Sequence, residues 1–262
     1  MDTILDKIIA EKEKEVAVLS NAAIYEDNLV REKRSLLSRL QKGEELAIIA
    51  EFKRASPSKG EINATLDPSE QARMYKAYGA DAISVLTDKT FFKGSHEDLT
   101  VVYETVDVPI LCKDFIIDEK QIIQAKNAGA SLILLIVAAL ERERLQTLFD
   151  FAVKNDLEVL VEVHNDAEAA LAIGLGAQII GVNNRDLKTF QVDIGMTEKL
   201  APVIKQAGAF LISESGLKTE EDVARVIRAG ADGILVGEAF MKAENLEGLL
   251  ISMKQPVKGV KR

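Results

Sequence analysis

The chain has 262 residues, 47% of them hydrophobic, and a formal net charge of −9 at pH 7. This length fits one large domain with a short extension. The acidic balance argues against nucleic acid or an anionic membrane as the main partner, because either would favour a basic surface. The single cysteine, Cys112, excludes an internal disulfide framework and suits a reducing compartment, so we expect a cytoplasmic protein.

Residues 1–45 are strongly charged and are expected to form a helical extension. Apolar residues recur there at helical spacing, first from Ile4 to Leu19 and again from Leu29 to Leu40. The pattern predicts two amphipathic helices. They could plug one end of the domain that follows or lie over its mouth.

Five Gly-Ala pairs then recur along the chain, each between a helix-like stretch and a strand-like run. Glycine suits the end of a helix because that position often adopts a left-handed conformation, and the small alanine lets the strand begin close by. The pairs are Gly79-Ala80, Gly129-Ala130, Gly176-Ala177, Gly208-Ala209 and Gly230-Ala231.

The runs after these pairs are apolar on both faces, which is typical of parallel strands covered by helices. Further strand candidates lie at 46–52, 109–115 and 157–163. Eight such runs, spaced by roughly 20 to 35 residues, predict an α/β fold, a (β/α)8 TIM barrel. We expect the barrel to occupy residues 46–254 and residues 255–262 to form a frayed tail.

Polar residues and glycines cluster where the predicted strands end, which is where barrels of this kind carry their chemistry. Glu51 and Lys53 share strand parity, so both are expected to point into the barrel. Such charged groups are costly to bury unless they are paired or functional, and for any single residue a structural ion-pair network is the alternative. The strand-end residues are Glu51, Lys53, Lys113, Glu162, Asn183, Arg185, Glu214, Ser215, Gly216, Gly237 and Glu238.

Three cations and three carboxylates in one pocket favour acid–base chemistry on an anionic substrate. A lysine that is partly desolvated among other cations would lose its proton more readily, which suits a general acid near neutral pH. The turns at 215–216 and 237–238 follow the seventh and eighth strands, where barrels often bind phosphate. We therefore predict a phosphate site at these two turns.

The remaining candidates have simpler interpretations. His96 and His164 are far apart and lack partners at metal-ligand spacing, so no metal is expected. Cys112 has the opposite parity to Lys113 and is expected to face the helices as a small hydrophobic residue. Phe92 follows the second strand and is a candidate for contact with an aromatic substrate.

The segment IAEFKRASPSKG at 49–60 resembles the signature of the indole-3-glycerol-phosphate synthases of tryptophan biosynthesis. Supporting matches are LCKDF at 111–115, NNRDL at 183–187, SESG at 213–216 and the strand end at Glu162. The resemblance runs over nearly the whole chain. It implies a carboxy-lyase that converts 1-(2-carboxyphenylamino)-1-deoxyribulose 5-phosphate to indole-3-glycerol phosphate, carbon dioxide and water. It implies no cofactor and no metal.

The resemblance also implies roles for individual residues. Lys113 would be the general acid that protonates the ribulose carbonyl, and Glu162 would act as a general base. Glu51 and Asn183 would assist loss of the hydroxyl. The predicted catalytic set is Lys113, Glu162, Glu51, Lys53, Asn183 and Glu214, with Lys53 holding the substrate near its phosphate. The predicted substrate-binding set is Ser56, Phe92, Phe115, Leu134, Arg185, Leu187, Ser215, Gly216, Gly237 and Glu238.

Two other functions stay open at the level of sequence. One is a phosphoribosylanthranilate isomerase-like barrel, although that chemistry resembles a Cys and Asp pair where this chain has Glu51 and Lys53. The other is a barrel that binds phosphosugars without turnover. As partners we expect a small phosphosugar with an anthranilate ring, no nucleic acid and no membrane, and we expect a monomer.

Overall fold

The structure is a computed structural model that describes residues 3–19, 32–57, 60–61 and 66–257. Eight parallel strands form a closed barrel, which confirms the predicted (β/α)8 fold. The last strand pairs with the first, so that Ala47 lies opposite Gly233. The strands are β1 (Ala47–Phe52), β2 (Ala82–Leu86), β3 (Ile110–Lys113), β4 (Leu132–Ile136), β5 (Glu158–Val163), β6 (Ile179–Asn183), β7 (Phe210–Glu214) and β8 (Gly233–Val236).

Helices alternate with the strands and surround the barrel. Four helix starts that the sequence marks with capping residues are confirmed: Asp67, Asp118, Asn165 and Thr219 each accept a hydrogen bond from a backbone N–H of the first turn. The helices are α1 (Ile4–Val18), α2 (Leu36–Lys42), α3 (Pro68–Ala77), α4 (His96–Thr105), α5 (Glu119–Ala128), α6 (Arg142–Lys154), α7 (Asp166–Gly174), α8 (Gly195–Gln206), α9 (Glu220–Ala229), α10 (Glu238–Met241) and α11 (Leu246–Met253).

The glycines of the five Gly-Ala pairs all have positive φ angles, as predicted. Gly129 and Gly230 end α5 and α9 in the left-handed conformation, with φ of 104° and 109°. A side chain is strained at such angles, so glycine lets the chain leave each helix and enter the next strand directly.

The apolar core has two layers, one inside the barrel and one between the strands and the helices. Along β1, Ala47 and Ile49 face the interior layer, whereas Ile48 and Ala50 face the outer layer. Cys112 lies in the outer layer, as its strand parity predicts, with its Sγ atom 3.3 Å from the Thr87 hydroxyl. In the described residues, no helix combines the length and the apolarity that crossing a membrane requires.

The two extension helices cover opposite ends of the barrel. In α2, Leu36 and Leu40 pack into the interior layer and close the end where the strands begin. In α1, Leu5 and Ile8 line the cavity at the end where the strands finish. Both placements left open by the sequence are therefore realised, one by each helix. The predicted apolar position Leu29 lies outside the described residues.

A single carboxylate fastens α2 to the barrel. Glu158, the first residue of β5, accepts hydrogen bonds from the backbone N–H groups of Leu36 and Leu37 at 2.9 and 3.2 Å and from the Ser35 hydroxyl. A carboxylate is favourable there because the first turn of a helix leaves N–H groups unpaired and carries partial positive charge.

Glu158→Gln is expected to destabilise the fold by about 1 to 3 kcal/mol, because charge-assisted hydrogen bonds are replaced by weaker ones. The melting temperature should fall by several degrees in scanning calorimetry, whereas Glu244→Gln, at an exposed position between α10 and α11, should leave it unchanged. Equal melting temperatures for the two variants would contradict this role of Glu158.

Residues 255–257 are ordered, although a frayed tail was expected from residue 255 onward. The backbone N–H of Leu46 donates to the carbonyl of Gln255 at 2.9 Å, and Val257 is buried. The predicted fraying of residues 255–262 is therefore wrong for its first three residues, because backbone hydrogen bonds and apolar burial hold them against the entry to β1. Residues 258–262 lie outside the described residues.

Candidate active site

A cavity of about 890 Å³ opens at the carboxyl ends of the strands, with α1 along one side. All sixteen site residues predicted from the sequence line this cavity. They are Glu51, Lys53, Ser56, Phe92, Lys113, Phe115, Leu134, Glu162, Asn183, Arg185, Leu187, Glu214, Ser215, Gly216, Gly237 and Glu238. The signature segment at 49–60 also contains Ser58 and Lys59, which lie outside the described residues.

Lys113 ends β3 and reaches between two carboxylates. Its Nζ atom lies 3.3 Å from Oε2 of Glu162 and 3.7 Å from Oε2 of Glu214. Burial alone would lower the pKa of Lys113, but Glu162, Glu214 and Glu51 outweigh burial and raise this pKa above its ordinary value. The Lys113 side chain is therefore a protonated ammonium beside these carboxylates.

This direction is opposite to the one expected from the sequence. The sequence predicts a lysine among other cations that loses its proton more readily. Lys113, the general acid that the resemblance implies, does not fit this expectation, because its nearest charged neighbours are carboxylates. Lys53 instead forms an ion pair with Glu51 on β1. Strand parity predicts which side chains point inward, but it does not tell which of them meet.

Glu162 lines the cavity and is almost fully buried. The Asn183 amide donates to its Oε1 atom at 3.1 Å. Burial alone would raise the pKa of Glu162, but Lys113 first, and then His164 and Asn183, hold this pKa well below its ordinary value. Glu162 is therefore an ionised carboxylate, the protonation state of a base.

His164 is a functional candidate that sequence reasoning missed. Its Nε2 atom lies 3.3 Å from Oε1 of Glu162, and its Nδ1 atom lies 3.1 Å from Oε2 of Glu168. Although burial opposes its charge, these two carboxylates raise the pKa of His164 to about 10. The imidazolium supplies Glu162 with a second positive neighbour. The available signal was spacing, because residue 164 follows Glu162 by two positions, just beyond the end of β5, and alternate residues of an extended chain point to the same side.

Glu214 differs from Glu162 in having neither oxygen hydrogen-bonded within the described part of the chain. Burial first, and then the negative charges of Glu162 and Glu51, raise the pKa of Glu214. Gly181 on β6 makes room for this carboxyl group, since a Cβ atom there would lie 2.0 Å from its Oε1 atom. The two neighbouring carboxyl groups thus have pKa values displaced in opposite directions.

Glu214→Gln is expected to make stability less dependent on pH. Because the pKa of Glu214 is raised on folding, the wild type loses stability as the pH rises from the ordinary value of 4.5 through the folded pKa. Glutamine stays neutral, so the variant does not lose stability in this way. Its free energy of unfolding, relative to that of the wild type, should therefore rise by about 1 kcal/mol or more from acidic to alkaline pH.

Denaturant unfolding of both proteins at several pH values measures this difference. Glu244→Gln, at an exposed carboxylate, is the control and should follow the wild type at each pH. A constant difference between Glu214→Gln and the wild type would show that the pKa of Glu214 does not change on folding.

The opposite side of the mouth presents turns and small residues. Ser215 and Gly216 both have positive φ, 67° and 87°. The buried Asn184 amide donates to the carbonyl of Ser215 at 3.1 Å and thereby holds this turn. Gly237 allows close approach of β1, because a Cβ atom there would lie 2.3 Å from Oε1 of Glu51. Sequence reasoning missed the contribution of Asn184, which follows Asn183 with the opposite parity.

Apolar side chains form a third part of the wall. The rings of Phe92 and Phe115 lie 5.9 Å apart between centroids, inclined by 34°. Leu134 lies on the floor and is almost fully buried. Across the mouth, the Arg185 guanidinium donates to the carbonyl of Phe190 at 3.2 Å. The cavity therefore offers an aromatic wall, a charged centre and a polar turn, which suits a ligand with an aromatic ring and an anionic group.

The fold and this cavity define a (β/α)8-barrel enzyme with an acid–base centre where the strands end. The family model described as indole-3-glycerol phosphate synthase matches residues 5–252, and the chain belongs to that family. Proteins named indole-3-glycerol phosphate synthase from Bacillus cereus and Bacillus anthracis are each 50% identical to it over 247 residues. The alignment covers 94% of this chain and 96% of each relative.

A more distant structural likeness supports the fold alone. Thiamine phosphate pyrophosphorylase from Pyrococcus furiosus superimposes with a TM-score of 0.60 at 17% sequence identity. The alignment covers 81% of this chain and 95% of that structure. The architecture is therefore shared with a protein of little sequence similarity.

Proposed function

We propose that this chain acts as an indole-3-glycerol phosphate synthase, a carboxy-lyase of tryptophan biosynthesis. The substrate is 1-(2-carboxyphenylamino)-1-deoxyribulose 5-phosphate, and the products are indole-3-glycerol phosphate, carbon dioxide and water. The observation that carries the proposal is the position of Lys113, a half-buried ammonium beside two carboxyl groups with opposite pKa shifts, in the cavity of a chain that belongs to this family.

Lys113 acts first, as the general acid. Its ammonium protonates the ribulose carbonyl oxygen while the ring carbon that bears the carboxylate attacks the carbonyl carbon, which forms the new carbon–carbon bond. Loss of carbon dioxide returns the bonding electrons to the ring and restores its aromaticity. The raised pKa of Lys113 keeps it protonated until the substrate arrives, which is the form that this step needs.

Dehydration follows and requires a base. Glu162 accepts the proton from the methylene carbon beside the nitrogen, and the hydroxyl group departs as water with help from Glu51 and Asn183. Glu162 suits this role because its lowered pKa keeps it ionised. Asn183 is hydrogen-bonded to Glu162 and can hold it in place. Glu214, with its raised pKa, supplies a neutral carboxyl group that can donate a hydrogen bond to the substrate.

The rest of the cavity binds the two ends of the substrate. The anthranilate ring lies against Phe92, Phe115 and Leu134, where apolar contact is available. The phosphate lies at the opposite side, near Lys53 and the backbone of the turns at 215–216 and 237–238. The Glu238 carboxylate is paired with Lys242 at 2.8 Å, which lessens its repulsion of the phosphate. Ser56, Arg185 and Leu187 complete the wall.

We further propose that residues 1–45 form an extension of the barrel, which occupies residues 46–257, and that the chain is a cytoplasmic monomer. The acidic net charge and the buried thiol of Cys112 support this setting. Size-exclusion chromatography with light scattering tests the monomer; a mass of twice the 28.7 kDa chain would contradict it.

Turnover is tested by mixing the purified protein with the substrate in metal-free buffer and following indole fluorescence. We expect one indole-3-glycerol phosphate per carbon dioxide released. Stabilisation by the substrate without turnover would favour a phosphosugar-binding barrel instead. Turnover of phosphoribosylanthranilate in a parallel sample would favour an isomerase.

A further inference from the structure

One charged side chain in the extension is buried at the edge of the cavity. Lys12 lies on α1, one turn beyond Ile8 and on the face that packs against the mouth, and it is only 2% exposed. Its Nζ atom lies 2.8 Å from Glu15, 2.9 Å from Asp88 and 2.8 Å from Asp114. Burying an ammonium costs free energy unless it is fully paired, and here three carboxylates surround it.

Asp88 and Asp114 also hold the backbone of the aromatic wall. Oδ1 of Asp88 accepts the N–H groups of Phe91 and Phe92 at 2.7 and 3.1 Å, while its other oxygen meets Lys12. Oδ1 of Asp114 accepts the N–H of Phe115 at 2.8 Å and also meets Lys12. Each aspartate therefore joins one aromatic residue of the cavity to the same ammonium.

These contacts form one connected group. Phe92 and Phe115 come from different loops, yet their rings meet at 5.9 Å. Asp114 directly follows Lys113, so the group reaches the proposed general acid through one peptide unit. Without a cation between them, Asp88 and Asp114 would be two buried carboxylates that repel each other across the wall.

We propose that Lys12 is a positioning residue that docks α1 over the mouth and fixes the aromatic wall through Asp88 and Asp114. This inference rests on the proposed function for the identity of the ring that the wall receives. Lys12 is not among the residues that line the cavity, so its effect falls on binding of the aromatic end of the substrate rather than on proton transfer.

Lys12→Met tests this role, because methionine keeps much of the volume and removes the charge. We expect KM to rise at least tenfold while kcat changes less than threefold. Binding of indole-3-glycerol phosphate should weaken to a similar degree, whereas binding of inorganic phosphate should be unchanged. Lys14→Met is the matched control, since Lys14 is on the same helix with a side chain that is 72% exposed.

Hydrogen exchange gives a readout that is independent of activity. Amides of α1 should exchange faster in Lys12→Met than in the wild type and in Lys14→Met. An unchanged KM in a folded Lys12→Met variant would overturn the proposal, whether or not α1 exchanges faster. An inactive wild type that binds neither ligand would instead refute the proposed function.

A second variant covers the possibility that Lys12→Met does not fold. Lys12→Met/Asp88→Asn removes one charge of each sign, and asparagine retains an oxygen that can accept the N–H groups of Phe91 and Phe92. The anchor of α1 is still lost, so the same rise in KM is expected. A KM equal to that of the wild type in this double variant would overturn the proposal.

Discussion

Lys113→Met is expected to lower kcat by at least about 10²-fold while the protein still folds, since a general acid typically contributes about 10²- to 10⁴-fold in rate. Methionine has a similar length and carries no proton to donate. The loss should appear in kcat and in kcat/KM alike, because the proton moves only in the transition state. Indole fluorescence at varied substrate concentration measures both constants, and circular dichroism checks the fold.

Two further lysine substitutions serve as comparisons. Lys53→Met should mainly raise KM, because Lys53 is paired with Glu51 and is assigned to electrostatic binding of the substrate. Lys154→Met, at an exposed position on α6, should leave both constants unchanged. A Lys113→Met variant that retains kcat within about threefold of the wild type would remove Lys113 from the role of general acid.

The arrangement of strands and helices could be predicted because several local signals agree. Glycines that require positive φ, such as Gly129 and Gly230, stand where helices end, and capping residues such as Asp118 and Thr219 stand where helices begin. The strands between them are apolar on both faces. Since the carboxyl ends of parallel strands converge at one mouth, the strand-end residues of the cavity could be predicted together with the fold, whereas Ser56, Phe115, Leu134 and Leu187 were implied by the family resemblance.

The contacts between those residues could not be predicted in the same way. Parity predicts that Lys113 points inward, but only the closed barrel brings it to Glu162 and Glu214, which lie 49 and 101 residues further along the chain. Its charged neighbours are thus carboxylates, and the direction of its pKa shift is the reverse of the one expected.

The partners of Lys12 on α1 could not be predicted from the amphipathic pattern of that helix either. Lys12 continues the buried face of Leu5 and Ile8 at helical spacing, where an amphipathic pattern expects an apolar residue. A charged residue in that position is itself a signal, but its meaning depends on Asp88 and Asp114, which come from distant loops. Position on a helix face can therefore mark such a residue, whereas only the packed structure identifies its partners.

Glu162→Gln should lower kcat by about 10²-fold, because the amide keeps the shape of the side chain but cannot accept the proton during dehydration. In the wild type, the lowered pKa of Glu162 should keep this group ionised well into acidic pH. His164→Asn removes a positive neighbour and should raise the pKa of Glu162. The acidic limb of the profile of kcat/KM against pH should therefore move to higher pH in that variant.

Steady-state kinetics across pH compare the wild type with Glu162→Gln and His164→Asn. Glu158→Gln is the matched control on the same strand, because Glu158 binds α2 at the end of β5 opposite to the cavity and should affect stability without affecting kcat. An acidic limb that stays in place when His164 is replaced would mean that Lys113 and Asn183 suffice to keep Glu162 ionised. If Glu162→Gln retained the wild-type kcat, the proton from the methylene carbon would have to reach another group. Glu51, which also lines the cavity and is paired with Lys53, is then the next residue to replace.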